Sequence, residues 1–363
     1  MDPVIAQEMM IFDMLPPNLP PPCHEARRFA RAAHMDDSAP SFLTHHILSL
    51  RKMEPAMFFS QTPVWQSFGD RLVSTLTRRF AEQGLTRDSL GLVLVTPGTD
   101  GPEGFAHRGD WRCYPCSLVK SFHLIHALAA LEEGRVVPHG DLDRALRDMV
   151  RWSSNTATNY AIDLITGTTG DTLLQGAEYL DWVAKRERLN RFYWALGWPE
   201  WEGCTISQKL MDDTRYGREA QYAGVDGANL NALTPLAAAR LLWELFQGTL
   251  PLSAPSKARA QAILRRDATG EDAANPHYQL AEYLGGDLPV GAELWSKAGH
   301  NLWTGDARTS WFKHDMLRLL VPGRRPLIVA VMTQGQALAE THPQAFPAMG
   351  RLIWEMTEEM TRA

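Results

Sequence analysis

The residues with the clearest chemical potential are Ser117 and Lys120. They lie in the stretch Tyr114-Pro115-Cys116-Ser117-Leu118-Val119-Lys120, which passes from a short strand-like segment into an apolar helical run. Residues three apart on a helix share a face, so Lys120 would lie one turn below the Ser117 hydroxyl. A serine is a weak nucleophile at its ordinary pKa and needs an adjacent base, which a neutral lysine amine can supply. A Ser-x-x-Lys arises readily by chance in a chain of 363 residues, so its weight depends on what the rest of the chain brings to it.

The helix that carries the pair must be enclosed, because Leu118 to Leu131 is mostly apolar with few charges on any face. Upstream, Trp65, Phe68, Leu72, Leu76 and Phe80 recur at three- and four-residue intervals, which predicts an amphipathic helix over 64–80 closed by Gly84. Leu90 to Val95 reads as a buried strand and Gly104 to His107 as its hairpin partner across Pro97-Gly98-Thr99-Asp100-Gly101. Helices are expected over 141–152, 156–165, 172–194 and 235–246, with Asp141 and Thr234 as N-caps and Pro235 at a first helical position. Residues 197–231 lack periodicity and read as a long functional loop. Strand patterns return at 292–297, 308–320 and 327–333, and a last helix covers 344–360. Strands thus flank a helical middle, so the early hairpin must pair with the late strands. The expected organisation is an N-terminal extension (1–60), a discontinuous α/β domain (61–135 with 290–363) and an all-α subdomain (136–289), with a cleft between the last two.

Two further stretches give the serine and lysine partners. A helix ends in Trp152-Ser153-Ser154-Asn155, and a strand ends in Ser296-Lys297-Ala298-Gly299-His300. Ser-x-x-Lys, Ser-x-Asn and Lys-x-Gly in this order resemble the motif set of the class A β-lactamases and penicillin-binding proteins. The resemblance runs from about residue 90 to the C-terminus, with Asn159 at the place of a family asparagine. It implies an α/β fold with an antiparallel sheet flanked by helices, an all-α subdomain, and an active site in the cleft between them.

Elementary chemistry gives each residue a task. Enclosure and a second cation, Lys297, would lower the pKa of Lys120 and let it act as a base. Ser153, whose hydroxyl both donates and accepts, could relay a proton between Lys297 and a leaving nitrogen. Asn155 offers a carbonyl to Lys120 and an amide to substrate. Gly299 lets an edge strand approach closely, and the amides of His300 and Ser117 would form an oxyanion hole. Trp152, Trp295 and Trp303 line the pocket or belong to the core.

The chain also departs from the family pattern. The spacer from Ser117 to Ser153 is short, which opens the cleft on that side. Ser154 and Ala298 occupy the middle positions of their triplets; the resemblance implies a substrate-binding place for Ala298, which lacks the hydroxyl that the family uses there to grip a substrate carboxylate. Where the family carries a deacylating glutamate, this chain reads Ile206-Ser207-Gln208-Lys209-Leu210-Met211-Asp212. Asp212, Asp213, Glu219, Glu200 and Glu202 in the same loop are substitutes between which the sequence does not choose. The expectation is a serine hydrolase that forms an acyl-Ser117 intermediate with an amide, lactam or ester of a small metabolite or natural product and is no efficient penicillinase. An acyltransferase using the same intermediate and a sensor acylated without turnover stand as alternatives.

Composition narrows the partners. A formal net charge of -6 with scattered Lys and Arg gives no basic footprint for nucleic acid. The start of the chain has no signal-peptide core and no apolar run reaches membrane-spanning length, so a cytoplasmic protein is expected. The cysteines Cys23, Cys113, Cys116 and Cys204 lack paired ligand spacing, which favours reduced, buried thiols over a metal site or a redox dithiol at Cys113-x-x-Cys116. No cofactor motif is present, and the oligomeric state is not encoded in any pattern found.

Overall fold

A computed structural model describes residues 57–211 and 214–362. The first helix, α1 (Pro63–Arg79), begins where the Thr62 hydroxyl accepts from Trp65 N–H at 3.3 Å and Pro63 takes the first turn. Its three- and four-spaced apolar residues, Trp65, Phe68, Leu72 and Leu76, are buried against one face of the sheet. Strands β1 (Leu90–Pro97) and β2 (Pro102–His107) follow as an antiparallel hairpin. β1 is an interior strand, paired on its other edge with a late strand over residues 328–333, and needs apolar residues on both faces. Leu90, Leu92 and Leu94 join the layer under α1, while Val93 and Val95 join the opposite layer.

A 3₁₀ turn, Cys116–Leu118, leads into α2 (Val119–Glu132), in which every residue from Val119 to Ala130 is buried. The helical region follows: α3 (Gly140–Arg151), α4 (Asn155–Thr166), α5 (Gly176–Arg186), α6 (Arg188–Trp194), α7 (Gly217–Ala223), α8 (Pro235–Phe246) and α9 (Ala254–Leu264). Then come β3 (Arg265–Arg266), β4 (Glu293–His300), β5 (Phe312–Leu320), β6 (Leu327–Gln334), α10 (Ala345–Met356) and α11 (Glu358–Thr361). Among the described residues the strands form one antiparallel sheet in the order β2-β1-β6-β5-β4-β3. One face packs on α1 and α10, the other on α2 and α8. This is the sheet flanked by helices that the motif set implied, and the early hairpin joins the late strands through β1 and β6.

Several local expectations change. The cap of α3 is His139, whose Nδ1 accepts from Leu142 N–H at 3.3 Å, and Asp141 sits in the first turn beside the helix dipole. The 172–194 helix is two, α5 and α6, parted at Glu187, whose ψ of -7° departs from helical values. β5 starts at Phe312, because Ala307–Thr309 form a 3₁₀ turn. The two-residue strand β3 lies in the stretch expected to be all-α, and α9 is a helix there that the pattern did not single out. Residues 197–231 are not patternless: they hold a 3₁₀ turn (Pro199–Trp201), α7, and bridges Thr205↔Ala232 and Cys113↔Leu233 at the loop's base. Residues 1–56, including Cys23 and most of the expected extension, lie outside the described residues, as do Asp212 and Asp213. Among the described residues no helix is long and apolar enough to cross a membrane. Cys113, Cys116 and Cys204 are buried and free, and burial pushes all three thiols up, so the inert reading applies and a redox dithiol does not.

Candidate active site

Ser117 owes its position to the segment before it. His314 on β5 accepts from Thr333 N–H through Nδ1 at 3.1 Å, which leaves the proton on Nε2 to donate to Tyr114 O at 3.0 Å. Burial pushes His314 down to about 4, which keeps this neutral tautomer at pH 7. Cys116 then takes φ of 49°, a conformation costly for a side chain bearing Cβ, and turns Ser117 into the first helical turn. Ser153 (φ 54°) and Gln279 (φ 55°) share this left-handed conformation. Ser153 and Gln279 both bind Lys297, so the strain is held in place by the packing around the buried lysines.

The strand edge of β4 closes on Ser117 from the other side. A Cβ at Gly299 would run into the Ser117 amide nitrogen and come within 3.0 Å of Cys116 Cβ, so only glycine permits the approach. Asn301 N–H bonds Phe312 O on β5 at 2.9 Å. Alternate amides of a strand point to opposite edges, so the His300 amide faces away from β5. Ser117 lies in the first turn of its helix, where backbone acceptors are lacking, and it lines the same cavity as His300. The His300 ring is turned aside and held by Tyr283 Oη, 2.6 Å from Nδ1, and burial lowers its pKa. Ala298 is fully buried in the layer under α1 and α10 and does not line the cleft, unlike the substrate-binding position expected of it.

Lys120 and Lys297 are completely buried and meet at Ser153. Lys120 Nζ donates to Ser153 O, to Ser153 Oγ at 3.2 Å and to Asn155 Oδ1 at 2.7 Å. Lys297 Nζ reaches Ser153 Oγ at 3.1 Å, the Gln279 side-chain carbonyl and Ala298 O. Burial first, then the Lys120 and Arg266 charges, hold Lys297 well below the ordinary lysine range. Among the described residues Ser117 Oγ makes no hydrogen bond to Lys120. The one-turn spacing puts the two on one face, but Lys120 leans toward Ser153 and Asn155 instead. Such contacts commonly tighten only when substrate is bound.

Three groups that the sequence did not announce support this set. Gln279 receives Lys297 from an irregular stretch without periodicity. Arg266, buried on β3, donates to Val150 O at 3.0 Å and Ser296 O at 3.2 Å, tying the end of α3, just before Ser153, to the residue before Lys297. The third is His314. A Gln, an Arg and a His on three separate elements leave no local spacing to find.

A cavity of about 760 Å³ opens at Ser117 and is lined by Asn155, Leu210, Arg215, His300 and Trp303 among others. Trp152 packs on Tyr278 and Trp295 on Phe246, so of the three tryptophans only Trp303 faces the cleft. The carboxylate candidates divide sharply. Glu219 is buried in a two-pronged pair with Arg186, at 2.8 and 3.1 Å. Glu200 receives Phe58 N–H at 2.9 Å and lies 3.7 Å from Arg240, and Glu202 is exposed. Asn159 brackets Leu210, donating to its carbonyl at 2.7 Å and accepting its amide at 3.0 Å. That grip fixes an apolar residue on the cavity wall.

A serine at a helix start, two buried lysines joined through a second serine, and a strand edge supplying an amide define a serine hydrolase of the β-lactamase type. The chain belongs to the β-lactamase enzyme family, whose model matches residues 139–357, more than half of its length. Solved structures agree on the fold. A variant of the last common ancestor of Gram-negative class A β-lactamases superposes with a TM-score of 0.55 at 20% identity, covering 80% of this chain and 99% of its own. A class A β-lactamase representative from Bacteroides cellulosilyticus gives 0.55 at 13% identity over 80% and 99%. The class A β-lactamase of Mycobacterium abscessus gives 0.52 at 18% identity over 78% and 98%. Comparison with curated protein sequences gives no match.

Proposed function

We propose that Ser117 attacks the carbonyl of an amide, lactam or ester and carries the acyl group as an ester on Oγ. The observation that carries this reading is Ser153 Oγ suspended between two buried lysines, 3.2 Å from Lys120 Nζ and 3.1 Å from Lys297 Nζ. Lys120 in its neutral form takes the Ser117 proton. The proton reaches the departing nitrogen or oxygen through Ser153, with Lys297 beside the relay, and the bond from carbonyl carbon to leaving atom breaks. The Ser117 and His300 amides face the negative charge that builds on the carbonyl oxygen. Water attacking the acyl-enzyme completes hydrolysis. Leu210, an apolar side chain that lines the cavity at Ser117 and offers no base to a water, argues against efficient penicillin hydrolysis. It favours a second reading in which an amine or alcohol accepts the acyl group.

Intact-mass spectrometry after exposure to a fluorophosphonate tests the first step. One adduct on wild type, mapped to Ser117, and none on Ser117→Ala is expected; labelling elsewhere, or full activity in Ser117→Ala, refutes it. Adding a competing amine to turnover of an ester separates the readings. Amide product marks transfer, acid alone marks hydrolysis, and stoichiometric acylation without turnover marks a binding protein.

A further inference from the structure

The cleft has two unlike sides. Ser153 and Lys297, the groups placed to protonate a departing atom, do not line the 760 Å³ cavity, which extends from Ser117 past Asn155 and Leu210. A leaving group directed toward Ser153 sends the acyl portion of the same substrate into that cavity. Its wall is formed in part by Arg215, half-buried, with the Tyr114 hydroxyl and the Asp306 carboxylate as neighbours.

Neither neighbour neutralises it. Asp306 is gripped by Arg308, whose Nε lies 3.0 and 3.1 Å from the two carboxylate oxygens and whose Nη2 lies 2.7 Å from one of them. Arg308 also donates to Asp226 O, so this pair is closed on itself. Burial pushes the Tyr114 phenol up to about 12, leaving it uncharged at neutral pH. Among the described residues Arg215 forms no ion pair. A planar guanidinium on the wall of a partly enclosed cavity, whose lining also includes the uncharged Asn301, Thr304 and Thr309, suits a carboxylate held through two parallel N–H···O bonds.

We infer that Arg215 anchors a carboxylate on the acyl portion of the substrate, so that the acyl donor is a derivative of a dicarboxylic acid. This assignment rests on the reading of Ser117 as the nucleophile, and it names a recognition element on the acyl side of the cleft, away from the Lys-x-Gly strand.

The test compares the 4-nitrophenyl monoester of glutaric acid with the neutral 4-nitrophenyl ester of pentanoic acid, each corrected for its uncatalysed hydrolysis. The acylation rate is read from nitrophenolate release and from the mass of acyl-Ser117. Wild type is expected to favour the anionic ester by about tenfold at low ionic strength, and less as salt rises. In Arg215→Gln the ratio should fall to about one, and Arg215→Lys should keep part of it. The ratio is taken within one sample, so partial loss of folded protein cancels. Equal acylation of Ser117 by both esters, or a preference that survives in Arg215→Gln, overturns the Arg215 assignment alone. Absence of any acyl-Ser117 overturns the nucleophile reading and this assignment with it.

Discussion

Replacing Glu219 by Gln separates an anchor from a base. Glu219 and Arg186 have side chains only 1% and 0% exposed, and their two hydrogen bonds are joined by Arg186 donors to Thr168 Oγ1 and Ser207 O, both at 3.1 Å. Glu219 also lies 3.4 Å from Lys209 N–H. The pair thus ties α5 to α7 and to the strip of loop that ends at Leu210. Glutamine keeps the shape but removes the charge, leaving a buried guanidinium without a counter-ion. Breaking such a pair costs about 3–5 kcal/mol, which for a domain of this size lowers Tm by roughly 6–20 °C. Urea denaturation followed by tryptophan fluorescence would measure it. Replacing both partners, as Arg186→Met with Glu219→Leu, should recover most of the loss, because two apolar groups of similar volume leave no orphaned charge. If Glu219→Gln stays within about 1 kcal/mol of wild type and instead freezes the acyl-enzyme, the anchoring role is wrong and Glu219 is the deacylating base.

Gly299→Ala forces a methyl group against the Ser117 amide and Cys116, so the acylation rate should fall by about 10²–10³, the loss expected for one oxyanion donor; a fall below tenfold would mean that the strand edge is not part of the site. His314 offers a pH signature. Its pKa is about 4 in the folded chain against an ordinary value near 6.5, so between those values the unfolded chain binds more protons and stability falls as pH drops. The shift corresponds to about 3 kcal/mol between pH 6.5 and 4. His123 and His126, pushed by burial to about 3, titrate across the same window, so the test is the difference between wild type and His314→Asn. The variant should show a shallower loss of stability on acidification, and parallel profiles would sink the assignment.

The parts of this molecule that were legible in the sequence are those whose cause is local. Leu90 to Val95 declares a strand buried on both faces, and the mostly apolar run after Ser117 declares an enclosed helix, because each segment's own side chains must meet the core. The three motifs were legible as types and order. Their geometry was not, since Lys120 turns to Ser153 only because α3 ends there, held by Arg266 from β3. Gln279 meets Lys297 across an irregular segment, and a side-chain contact of this sort carries no periodicity. Ala298 shows the limit from the other direction. Its place in a motif triplet suggested a binding role, but strand alternation points it into the apolar layer beneath the sheet. The missed helix α9, with Ser253 as its cap, has apolar residues too scattered for a clear stripe and is held instead by Ala260 and Leu264.

The sheet order also fixes when during synthesis this cleft can exist. β1 pairs with β6 in the register Leu90↔Thr333, and β4 reaches Ser117 only after the helical region between them has been made. At a translation rate of roughly 5–20 residues per second, the Ser117 segment waits about 10–40 s for its oxyanion strand. During that interval the β1–β2 hairpin is too small to be stable alone and leaves one edge of an apolar strand open. A ribosome-bound fragment therefore carries the serine without its chemistry. It also carries an apolar strand edge, just before Ser117, that only the late strands cover.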